Sequence, residues 1–163
     1  MKKPQFSLAQ TDKPLETLIR ATDHKTLAEW AIACALRVLP YFENAYPDDK
    51  RPRTAIETLQ AWLETGEFKM EIIRRASLDA HAAAREVGED NPARSAARAA
   101  GQAVATAHVR THAIGAAMYG LQALYRASSA AEVASAIATE RAWHYQRLLD
   151  RSENQRPQSP QAV

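Results

Sequence analysis

The sequence predicts an all-α protein, a single domain of about six helices packed as a bundle or as stacked helical hairpins. Three observations carry that expectation. Apolar residues recur at spacings of three and four along most of the chain, and no segment shows the apolar–polar alternation of a half-buried strand. Residues that start and stop helices fall between these periodic segments and leave short connections. Residues 91 to 131 hold 15 alanines and no Asp or Glu, a composition that suits helices and lets two of them approach closely.

Residues 1–22 read as a partly irregular N-terminal segment, followed by a helical domain over residues 23–151. Asp23 opens the first helix, with Thr26 and Glu29 at capping-box spacing in "DHKTLAEW". Its apolar residues Leu27, Trp30, Ala31, Cys34 and Val38 keep the helical period, and Pro40 is expected to kink or end it. Helical character resumes in "YFENAY" before Pro47, and "PDDKRPR" forms a tight charged connection. Pro52, in a first turn, starts the second helix, with Ile56, Leu59 and Leu63 on one face and Gly66 as the stop. The third helix, "FKMEIIRRASLDAHAAAREVG", spaces Phe68, Ile72, Ile73, Ala76, Ala80, Ala83 and Val87 along one side and ends at Gly88. Asn91 and Pro92 cap a fourth that runs to about Val109, a fifth covers roughly Thr111 to Arg126, and a sixth runs from Ser129 to Asp150. The polar, proline-bearing tail, residues 152–163, is expected to be disordered.

Composition narrows the function classes. At 163 residues, 46% hydrophobic and 25% charged, the chain can bury roughly two thirds of its unfolded surface without a metal or disulfide staple. A single cysteine, Cys34, forbids an internal disulfide and fits a reducing compartment, so a cytoplasmic location is expected. The opening "MKKPQFSLAQTDKP" lacks the apolar run of a secretory signal, and no stretch approaches a membrane span. A net charge of +2 is too mild to imply nucleic acid. The chain has no Gly-rich phosphate loop, no G-x-S-x-G and no C-x-x-C. No cofactor is expected.

The chemistry that remains is sparse. His108 and His112 in "HVRTH" have the i, i+4 spacing of a helical zinc motif but lack its Glu, so the expected role is interior packing with hydrogen-bonded imidazoles. The weaker alternative is a metal held by His108, His112 and a third ligand from His24, His81 or His144. Cys34 lies mid-helix on an apolar face, the setting of an inert thiol. Acidic residues gather at Glu43, Asp48 and Asp49 and again at Glu86, Glu89 and Asp90; they are solvated loop charges or part of a recognition surface. Arg94, Arg98, Arg110 and Arg126 are the charges of the alanine-rich stretch.

Three stretches in order, "HKTLAEWAIACALRVLPYFENAYPDDKRPRTAIETLQAW", "DAHAAARE" and "ARAAGQAVATAHVRTHAIGAAMYG", resemble the immunity proteins of bacterial polymorphic toxin systems, specifically the immunity-five-like helical group. The resemblance covers about residues 23 to 126. It implies a protein that binds and neutralises a cognate toxin domain, and it implies no catalytic residues. Where the family's pattern often has an acidic residue before the cysteine of the first helix, Ala33 stands here. If the toxin is cationic, the six acidic residues from Glu43 to Asp90 are the expected partner-binding sites. Two other readings stay open: a metal-dependent helical enzyme built on His108 and His112, and an adaptor that binds nucleic acid or protein through the arginines of residues 91 to 131. Homo-oligomerisation is compatible with all three.

Overall fold

The structure is a computed structural model and describes residues 1–10 and 12–155. Those residues form seven helices and no strand: α1 (Lys13–Ala21), α2 (His24–Glu43), α3 (Arg51–Thr65), α4 (Met70–Glu86), α5 (Pro92–Ala105), α6 (His112–Ala127) and α7 (Val133–Asn154).

The centre is α5. Nine of its fourteen residues are buried, including Ala93, Ala96, Ala97, Ala99, Ala100 and Ala103, so it presents no single apolar stripe and must be surrounded. It packs against α2, α3, α4 and α6. Because its side chains are methyl groups, bulk has to come from the neighbours: Trp30, Leu27, Leu39 and Phe42 of α2, and Ile56 and Leu59 of α3, are all essentially inaccessible. Ala76, Ala80, Ala83 and Ala84 are buried on α4, which packs against both α3 and α5 and meets the α5 backbone at Gly101 through Ser77 and His81.

At four segments the structure sharpens or departs from the expected pattern. The N-terminal segment contains α1: the Asp12 carboxylate accepts from the Leu15 backbone N–H at 2.8 Å, Pro14 occupies the first turn, and Leu15 and Ile19 are buried. Pro40 neither ends nor divides α2, which continues to Glu43 because Leu39 and Phe42 on either side of it are buried at 0% and 1% exposure. On α4, Phe68 and Ile72 lie off the buried face, at 45% and 51% exposure, while Ile73 at 4% leads the alanine stripe. Of the tail, residues 152–154 belong to α7, and the Ser152 hydroxyl donates to the Leu148 carbonyl at 2.7 Å. Residues 156–163 lie outside the described residues.

Helix α7 packs on α6 and is tied to α2 by polar contacts. Arg37 donates through Nε and Nη2 to the two carboxylate oxygens of Glu140, each at 2.7 Å, and its guanidinium lies 4.1 Å from the centre of the Trp143 ring. Trp30 Nε1 donates to the His144 carbonyl at 2.9 Å, and Arg151 pairs with Glu29. Glu140 is a carboxylate at 4% exposure. Burial alone would raise its pKa, but hydrogen bonding from His144 and Arg37 outweighs it and holds the group down at about 2. Of the two, the Arg37 fork is the stronger contact, since His144 Nε2 approaches only to 3.4 Å without good alignment.

Two consequences follow from Glu140. Glu140→Gln leaves Arg37 half-satisfied against a buried amide and should lower unfolding free energy by about 1–3 kcal/mol in urea titrations. The group's folded pKa lies below its ordinary value of 4.5, so its stabilisation is complete above pH 4.5 and is lost as the pH falls toward about 2. The acid limb of the stability curve should therefore flatten in Glu140→Gln; an unchanged limb would remove the group from the acid response.

Candidate functional site

Two places on the surface gather polar side chains. The first is a cleft of about 400 Å³ between the N-terminal half of α4 and the α5–α6 turn, lined by Met70, Ile73, Arg74, His81, Gln102 and His112, with His108 at its edge. "HVRTH" does not lie on one helix. The chain leaves α5 after Ala105 through tight turns, in which the His108 N–H donates to the Ala105 carbonyl at 3.1 Å, and re-enters helix at His112. His108 is accordingly exposed and His112 half-buried. The expected interior placement of both rings is corrected for His108: small residues end at Ala107, and a break between two buried alanine helices must face solvent.

Two side chains of the cleft wall, His81 and Gln102, are each fitted to a glycine. A Cβ on Gly101 would lie 2.8 Å from the His81 ring, and one on Gly115 would lie 2.5 Å from Gln102 Oε1. The His81 ring thus rests on α5, and the Gln102 side chain rests on α6 with its amide oxygen 2.7 Å from His112 Nδ1. An amide oxygen only accepts, so His112 donates from Nδ1 and keeps Nε2 as an acceptor. Arg98 Nη1 donates to His81 Nδ1 at 3.3 Å. Burial, reinforced by the Arg98 charge, pushes His81 down to about 4, and burial together with His108 lowers His112. Such groups form a wall of neutral hydrogen-bonding rings. The Ser77 hydroxyl donates to the Gly101 carbonyl at 2.9 Å, so its proton is committed to the backbone.

The metal alternative lacks convergence. The His108 and His112 rings are 6.4 Å apart between centres, and no group of three His, Cys, Asp or Glu able to hold a metal forms among the described residues. Of the possible third ligands, only His81 joins the cleft. His24 bonds the Thr106 carbonyl and packs on Trp62, while His144 is buried under Trp30. Cys34 is fully buried, and burial, with Glu140 adding to it, raises its thiol well above the ordinary range.

The second place is the end of the molecule where the α2–α3 and α4–α5 connections meet. Asp49 and Glu86, distant in sequence, are both held by Arg51: Nη2 donates to Asp49 Oδ2 and to Glu86 Oε2, each at 2.7 Å. Arg53 closes a fork on Glu43 at 2.8 Å through Nε and Nη2. Hydrogen bonds from these arginines hold the carboxyls of Glu43, Asp49 and Glu86 below their ordinary values. Asp48, Glu89 and Asp90 are exposed. Asp90 takes a left-handed backbone, φ 56°, which Asp tolerates in a tight turn. Sequence spacing alone could not reveal Arg51 as the link between the two acidic turns.

The class of protein so defined is a small all-α domain with one imidazole-walled cleft and one acidic end. Residues 17–151 match the family described as "Imm-5 like putative immunity protein", and the chain belongs to that family. No curated protein and no solved structure matches the chain.

The glycine seats are testable. Gly101→Ala should cost about 1–3 kcal/mol of stability by overpacking against His81, and adding His81→Ala should recover most of the loss; additive effects of the two changes would refute the contact. With a folded pKa of about 4 against an ordinary 6.5, His81 takes up its proton in the unfolded chain first. Its contribution therefore lowers stability as the pH falls from about 6.5 toward 4, and its ring signals in NMR should stay unshifted between pH 7 and 5.

Proposed function

We propose that this protein binds a cognate bacterial toxin domain and neutralises it by occupying its surface, without a reaction of its own. The observation that carries the reading is family membership over residues 17–151, which takes in nearly all of the helical body from α1 to α7. The chemistry of the surface is consistent with it. In the cleft, burial lowers the pKa of His81 and His112 and the Ser77 hydroxyl is committed to the backbone, a set suited to hydrogen bonding more than to attack on a substrate.

The acidic end is the proposed contact surface for a cationic toxin. Glu43, Asp49 and Glu86 are tied to Arg53 and Arg51, which pre-orders the two turns and lowers the entropy lost on docking. Asp48, Glu89 and Asp90 project freely enough to steer a basic partner.

The test is co-expression with the polypeptide encoded by the adjoining gene, followed by native mass spectrometry and growth rescue. A one-to-one complex that restores growth is expected; a toxic neighbour that neither binds nor is neutralised would defeat the reading. The triple change Asp48→Lys, Glu89→Lys and Asp90→Asn keeps residue 90 compatible with its left-handed backbone. It should slow association about tenfold or more at low salt, and unaltered association kinetics would take the acidic end out of the interface.

A further inference from the structure

The four arginines of the alanine-rich stretch divide into two sets. Arg110 is used internally: its Nη2 donates to the Ile19 and Thr22 carbonyls at 2.9 and 2.6 Å and closes the C-terminal end of α1. Arg94 and Arg98, one turn apart on α5, converge instead with Arg126 of α6 on a groove of about 330 Å³ whose remaining walls are Tyr119, Gln122 and Leu8.

Among the described residues, no carboxylate lines this groove. Arg37, Arg51 and Arg53 each hold a carboxylate at 2.7–2.8 Å, whereas the nearest to Arg126 is Asp90, at 3.9 Å and with its side chain 99% exposed. The Arg126 side chain itself is only 16% exposed. It is positioned from the interior: Nη1 donates at 2.8 Å to the hydroxyl of fully buried Ser95, which in turn donates to Gln122 Oε1 at 2.9 Å. The other two contact neutral acceptors, Arg94 the Val87 carbonyl at 3.2 Å and Arg98 the His81 ring at 3.3 Å. Burial lowers the Arg126 pKa, an effect that Asp90 opposes and Arg94 reinforces. Among the described residues the ion pair these three guanidiniums make is the long one from Arg126 to exposed Asp90, so positive charge is left in excess in the groove and an incoming oxyanion offsets it.

We propose that this groove receives a carboxylate side chain of the protein partner, forked between Arg126 and the Arg94–Arg98 pair; the proposal rests on the toxin-binding reading above. A carboxylate suits the site better than a phosphodiester chain. The guanidinium forks match a planar carboxylate, and the exposed acidic turn at Glu89 and Asp90 adjoins the groove, where it repels an extended polyanion but accepts a basic side chain beside the carboxylate. The partner surface inferred is thus dipolar, a basic patch next to an acidic residue.

The double variant Arg94→Gln, Arg98→Gln leaves the Arg126–Ser95–Gln122 network in place, and its fold is checked by circular dichroism. Glutarate is titrated into the full chain while the arginine Nε–Hε signals are followed by NMR. Saturable shifts at Arg94, Arg98 and Arg126 that vanish in the folded variant are expected; a non-saturating response, or the same response in the variant, overturns the site. Binding of a single-stranded RNA dodecamer that the variant abolishes, with no glutarate response, overturns the carboxylate assignment. With the neighbouring toxin domain, the variant should weaken the complex at least about tenfold, roughly 1.4 kcal/mol. A complex of undiminished strength overturns the groove as a partner contact while the toxin-binding reading stands. Absence of any complex with the unaltered chain defeats that reading and, with it, the partner's carboxylate as occupant, whatever the glutarate titration shows.

Discussion

Everything in this molecule is arranged around the burial of a helix that has almost no side chains. Helix α5 offers methyl groups on nearly every side, so neighbours approach it closely from α2, α3, α4 and α6, and the large residues that fill space are carried by α2 and α3. The arrangement is sensitive to volume at the seams. Gly101 and Gly115 lie where a side chain of the adjacent helix comes down onto the backbone, and those two approaches give the imidazole cleft its wall. The cleft is in this sense a product of core packing: His81 and Gln102 are held because the helices under them are thin.

The periphery is held by a different kind of force. Helix α7 has few buried residues for its length, Val133, Glu140, His144 and Leu148 among 22, and it is located on α2 by directional contacts, the Arg37–Glu140 fork and the Trp30 N–H to the His144 carbonyl. A buried ion pair gives modest net stability but penalises alternatives that leave either charge unpaired. It therefore sets where α7 sits more than how strongly it is held. At the acidic end, Arg51 works similarly by joining Asp49 of one connection to Glu86 at the other, and Arg53 ties α3 to Glu43 at the end of α2.

These two regimes leave the surface with separated charges. Arginines near carboxylates in the α2–α3 region are neutralised in short forks, while Arg94, Arg98 and Arg126, from a stretch with no acidic residue, line one groove where Arg126 makes a longer contact, 3.9 Å, to exposed Asp90. A chain of net charge +2 thus carries an acidic end beside a cationic groove. For the proposed toxin-binding role, local complementarity of that kind offers specificity that the overall charge does not.

The helical class and the alanine-rich centre were legible in the sequence, because period, caps and composition are local properties, and the family was legible as the resemblance of three ordered stretches. Asp12 followed by Pro14, Leu15 and Ile19 carried the signal for α1 as well, but its polar flanks made the segment read as irregular. The sequence alone also placed the acidic residues in two turns and Cys34 on an apolar face. What only the tertiary structure decided was pairing. That Pro40 sits inside a continuing helix depends on the burial of Leu39 and Phe42. That His112 meets Gln102 while His108 faces solvent depends on a helix break whose position is set by packing. That Arg51 bridges Asp49 and Glu86 depends on two connections folding to the same end. Hydrogen bonds and ion pairs act over about 3 Å, and residues 35 or more apart in sequence reach that distance only after the core has chosen how the helices lie.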